Sequence, residues 1–180
     1  MKFNLAKDQK TFRDYILLRI KEYPLYVNDG PGEDDDPIQL VTIGYYLDQG
    51  GYVALVFDTR RKADSDGEWT GHINSDTTMC PFPKWPAIAE ALDDGKSIEI
   101  ALPGGGSRRF DPEDESYEAI LQLVGEMLRD TMIALRDEDA IKSLPLAKNA
   151  FLIIEEFDGR WAWPPSYETR KQFRLRGDKA

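Results

Sequence analysis

A chain of 180 residues with 41% hydrophobic and 11% aromatic content is too apolar for intrinsic disorder, and a single domain of that length buries roughly 70% of its unfolded surface. Its 33 acids against 23 bases give a net charge of -10, which repels nucleic-acid phosphates and anionic lipid heads and draws in basic partners. With one cysteine, Cys80, and one histidine, His72, the chain cannot form an internal disulfide, a c-type haem attachment, an iron-sulfur cluster or a zinc site of the usual thiolate and imidazole kind.

Phe12, Tyr15, Ile16 and Ile20 recur at helical spacing and predict a helix from Lys7 to Glu22, stopped before Pro24. Residues 23–37 hold three prolines, two glycines and the Glu33 to Asp36 acid run, the composition of an exposed acidic loop. Ile38 to Leu47 and Tyr52 to Thr59 are β-rich runs joined at Asp48-Gln49-Gly50-Gly51, where glycine takes the positive φ of a hairpin turn. Arg60 to Asp76 is polar. Pro86 then suits the first turn of a short helix whose buried stripe is Ala87, Ile88, Ala91 and Leu92, and Gly95 suits its C-cap.

Ser97 to Leu102 reads as a strand, and Gly104-Gly105-Gly106 leads into a short return strand, Ser107 to Phe110. Tyr117, Ile120, Leu121, Val124, Met127, Leu128 and Met132 hold three- and four-residue spacing throughout, predicting the main packing helix from Ser116 to Asp137. The acids before it favour its positive dipole end. Phe151 to Phe157 is a near-continuous apolar strand suited to the middle of a sheet, and Asp158-Gly159 turns the chain into Arg160 to Pro165. Residues 168–180 form a basic C-terminal tail, with Arg170, Lys171, Arg174, Arg176 and Lys179 able to fold back on the acidic body. The fold class is α+β, a mostly antiparallel sheet with an N-terminal helix, a short middle helix and one long packing helix.

Candidate chemistry is sparse. Cys80, His72 and Asp76 are the types of a nucleophile, base and orienting acid, but no glycine elbow surrounds them. Asp64-Ser65-Asp66-Gly67-Glu68 has the oxygen density of a calcium loop with its glycine at the wrong position, and with Asp58 it supports a metal-assisted hydrolase as the alternative function. Gly104, Gly105 and Gly106 with Arg108 and Arg109 are the ingredients of a phosphate cradle without a helix starting in the loop, a second alternative. Glu155 and Glu156 are strand neighbours facing opposite sides, one of which could share a pocket with Glu99. No catalytic residue, metal ligand or cofactor is assigned.

Trp69, Trp85, Trp161, Trp163 and Tyr167, beside Pro164-Pro165, supply large contact area with polar handles, the composition of an interface hot spot. Each tryptophan fits a core position as well. Asp34, Asp35 and Asp36 with Trp69, Trp161, Trp163 and Tyr167 make the candidate partner-binding set, and the expected partner is a basic protein, with no nucleic acid and no membrane.

Ile38 to Thr59, Glu68-Trp69, Lys84-Trp85-Pro86 and Phe151 to Trp163 together resemble, in general layout over about half the chain, small acidic bacterial proteins of the toxin-immunity kind. The resemblance implies a cytoplasmic, non-enzymatic inhibitor that binds and masks a toxin domain. It carries over no particular binding residue.

Overall fold

The computed structural model describes residues 1–26, 37–48, 50–58, 79–113, 115–165 and 173–175. Strand β1 (Lys2–Asn4) runs directly into helix α1 (Leu5–Tyr26). Asn4 is the reason the helix starts there: its Oδ1 accepts the Lys7 backbone N–H at 2.9 Å, satisfying one of the donors a first turn leaves open. The helix continues through Pro24 instead of stopping before it, because a proline in the last turn forfeits one backbone bond near an end that is already short of them.

Strands β2 (Ile38–Tyr46) and β3 (Tyr52–Asp58) pair antiparallel as the predicted hairpin, closed by Gly50 and Gly51 at φ 88 and 58°. Strand β4 (Met79–Pro81) adds to the outer edge of β3, and helix α2 (Pro86–Asp93) follows. Gly95 ends α2 in a Schellman turn, with its N–H on the Leu92 carbonyl and the Lys96 N–H on the Ala91 carbonyl. Strands β5 (Ile98–Ala101) and β6 (Ser107–Phe110) form the second hairpin, and α3 (Ser116–Asp137) leads to β7 (Leu146–Glu156) and the short β8 (Ala162–Trp163).

The α+β class holds, but the strands divide into two sheets, ordered β1-β5-β6 and β4-β3-β2-β7-β8, and each contains one parallel pair. The expectation of one mostly antiparallel sheet is corrected at both places. β1 pairs with β5 in parallel because the three residues before α1 find an open strand edge, and β2 pairs with β7 in parallel because the connection between them carries α3. β7 also begins five residues before the predicted Phe151: pairing with β2, which includes a register shift, pulls the polar stretch 147–149 into the strand.

A continuous apolar core links both sheets and all three helices. Val41, Ile43 and Tyr45 of β2, Val53, Leu55 and Phe57 of β3, and Leu152 and Ile154 of β7 supply the sheet side. Phe12, Ile16 and Ile20 of α1 and Leu121, Val124 and Leu128 of α3 supply the helix side. Tyr23 of α1 meets Phe57 edge to face at 5.1 Å, and the Tyr45 hydroxyl donates to the Leu121 carbonyl of α3 at 2.8 Å, so aromatic residues fasten helix to sheet twice. Part of the basic C-terminal segment folds back on the body: Leu175 is buried, its N–H bonds the Ala150 carbonyl, and Arg174 bridges Phe151 on β7. Among the described residues no helix is long and apolar enough to cross a membrane.

Candidate functional site, an aromatic and acidic patch at the hairpin end

Strand alternation decides what the long sheet shows on its other face. With Ile43 and Tyr45 turned into the core, Gly44 and Tyr46 turn the opposite way, and the β2–β3 register sets Tyr52 directly across from Tyr46. Phe157, just past β7, donates its backbone N–H to the Tyr45 carbonyl at 3.2 Å, and its ring lies over Gly44. Gly44 is needed there, since any Cβ would occupy the space of the ring.

Three rings therefore meet at the end of the sheet. Tyr46 stacks on Phe157 with centroids 4.6 Å apart, and Tyr52 contacts both, at 5.5 and 6.0 Å. Phe157 stays 42% exposed, one of few large apolar side chains among the described residues that do. Asp158 and Asp48 stand near the group: desolvation first, then Asp158, Tyr52, Glu156 and Asp48, push the Tyr46 phenol above its ordinary pKa. Glu155 shares the outer face beside Gly44 by register, and Asp158 also pairs with Arg160 at 3.2 Å. The patch offers flat π surface with negative charge near it, which suits the alkyl stem and cationic head of lysine or arginine.

A buried polar network stands behind it. Glu156 is 2% exposed and its Oε2 accepts the Arg160 backbone N–H at 3.1 Å, fixing the turn between β7 and β8. Burial raises the pKa of both Tyr45 and Tyr117, with Glu156 adding to it in each case and Asp48 in the second, while the Arg160 guanidinium sits 5.2 Å over the Tyr117 ring. The turn that carries Phe157 and Asp158 is thus held from beneath.

The residues singled out in the sequence distribute differently. Asp34, Asp35, Asp36, Trp69 and Tyr167 lie outside the described residues, as do His72, Asp76, Asp64, Asp66 and Glu68. Trp161 is half-buried, with its ring against Gly125 of α3 and tilted to Tyr45 at 6.2 Å. Trp163, also half-buried, meets Phe173 edge to face at 4.7 Å, and Arg136 caps the Phe173 ring. Trp85 is a core residue, stacked on Phe82 at 4.2 Å with its Nε1–H donated to Asp8 at 2.9 Å.

The glycine loop does not assemble a cradle. Gly105 and Gly106 close a tight turn in which the Gly105 N–H bonds the Leu102 carbonyl, and Arg108 and Arg109, as strand neighbours, diverge. Arg108 lies over Phe110, and Arg109 is held by Asp111 and Ser97, each at 2.9 Å. Glu99 belongs to the small sheet, where it pairs with Lys2 at 3.0 Å, so it shares no pocket with Glu155 or Glu156. Among the described residues no group of three His, Cys, Asp or Glu side chains could hold a metal.

Cys80 is buried on β4, and burial pushes its thiol up to about 11 against a smaller downward pull from Arg19. A neutral buried thiol is a poor nucleophile. In the folded protein it should resist an aromatic disulfide reagent at pH 8 over minutes and react fully in denaturant; rapid native labelling would show the site to be open.

The Tyr46, Tyr52 and Phe157 group is hidden in the sequence because each residue reads as ordinary strand. The legible signal is Gly44 in a strand interior, which marks close approach by another group. The chain matches no family model, no curated protein and no solved structure.

Proposed function

We propose that this is a non-enzymatic acidic interaction protein that binds and masks a basic protein partner, in the manner of an inhibitor or immunity protein acting on a toxin domain in the cytoplasm. The observation that carries the reading is the stacked Tyr46, Tyr52 and Phe157 patch, partly open to solvent, with Asp48 and Asp158 near it. Aromatic residues of this kind dominate interface energetics when a partner closes over them, and the net charge of -10 attracts a cationic surface at long range. Asp34, Asp35 and Asp36 extend the steering charge, and Trp163 lies on the neighbouring strand β8 with Trp161 just before it.

Immobilised protein should capture a basic protein from the native cytosol, identifiable by mass spectrometry. With that partner purified, Phe157→Ala should raise the dissociation rate roughly tenfold or more, as loss of a central aromatic anchor does. Asp48→Asn with Asp158→Asn, and separately Asp34, Asp35 and Asp36 to Asn, should instead slow association, as should salt raised from about 50 mM to physiological strength. A captured protein whose binding ignores salt and Phe157→Ala alike would refute the proposal.

A further inference from the structure

A cleft of about 320 Å³ opens between the start of α1 and the loop joining β4 to α2. That volume lies at the lower end of the range for small-molecule pockets, roughly 300 to 1,000 Å³. Its walls are apolar and rigid: Phe3, Pro81, Phe82 and Pro83, with Phe82 fixed by its stack on Trp85. Its charged groups are of one dominant sign, Lys2, Lys7 and Lys84 against Asp8, with Asn4 and Thr11 as neutral polar lining. Lys7 from α1 and Lys84 from the facing loop both border it, both are exposed, and neither forms a salt bridge with a described residue. Lys2, at the same opening, is held by Glu99.

Asp8 is the one acid in the lining, and one of its oxygens already accepts the Trp85 indole N–H. Burial raises the Asp8 pKa against the downward pull of that bond and of Lys7 and Lys84, and its single charge cannot balance both ammonium groups. The first turn of α1 adds the positive end of a helix dipole at the same place. On a chain with a net charge of -10, this is a cationic cleft with flat hydrophobic walls.

We propose that the cleft binds a small organic anion with a flat apolar body, the body lying against Phe82 and the prolines and the anionic group lying between Lys7 and Lys84. The site is independent of the partner-binding patch, and its failure leaves that reading untouched.

Trp85 is the reporter, because its indole N–H ends at the cleft. In the ¹⁵N-labelled full chain, the indole resonance that moves in Asp8→Asn identifies Trp85. Benzoate is the probe, with benzyl alcohol carrying the body without the charge and inorganic phosphate the charge without the body. Benzoate should shift the Trp85 resonance saturably, and each half-probe should bind at least tenfold more weakly. Lys7→Ala with Lys84→Ala, both on the surface, should preserve the spectrum and weaken benzoate at least tenfold. No saturable shift, phosphate binding as tightly as benzoate, or unchanged benzoate affinity in the double variant would each overturn the proposal.

Discussion

Leu128→Ala should lower the unfolding free energy by about 2 to 5 kcal/mol, the usual range for truncating a buried leucine. Leu128 is 0% exposed and sits midway along the α3 stripe that runs from Ile120 to Leu135. That helix packs on α1, α2, β7 and β8, so the cavity left by the truncation is bordered by elements fixed in several directions at once. Collapse around it is therefore limited. Small domains are stable by only about 5 to 15 kcal/mol, which makes the loss a large share of the total. Urea titration should show a lower midpoint with an unchanged slope, and a loss below roughly 1 kcal/mol would mean that the core is not packed as described.

Gly125→Ala should be destabilising even though it exchanges glycine for the best helix former. In an exposed helix interior the exchange gains up to about 1 kcal/mol. Here the new methyl would collide with the Trp161 ring, which is pressed onto Gly125 beside Tyr45. Overpacking costs about 1 to 3 kcal/mol and should win. Removing the obstacle reverses the sign: in a Trp161→Ala background, Gly125→Ala should stabilise the protein. The four-corner cycle measured by denaturation isolates that coupling. A stabilising Gly125→Ala in the parent chain would show that Trp161 moves aside freely, and with it the turn bearing Phe157.

Elements whose residues carry their own periodicity are legible in the sequence alone. The α3 stripe from Tyr117 to Met132, the glycines between β2 and β3, and Pro86 with Gly95 around α2 each combine a hydrophobic repeat with a local backbone preference, and each element forms where they put it. The short strands β1, β4 and β8 are not legible, because two or three residues cannot establish a period and form only when another strand offers an edge. Pro24 inside α1 and the early start of β7 show the same limit, with the surroundings outweighing local propensity.

Composition alone determined the acidic charge, the lack of any internal disulfide and the presence of enough apolar residues for a core, since these depend only on which residues are present. It also identified tryptophan as the aromatic type to follow. Only the tertiary structure decided where each described aromatic lies: Trp85 went to the core and Trp161 to Gly125, while half-buried Tyr46 and Tyr52 and exposed Phe157 met on the outer face of one sheet. The physical reason is that burial is a property of neighbours. A ring's size and hydrophobicity are fixed by its own atoms, but whether it faces helix or solvent follows from strand pairing and register, which join residues about a hundred positions apart.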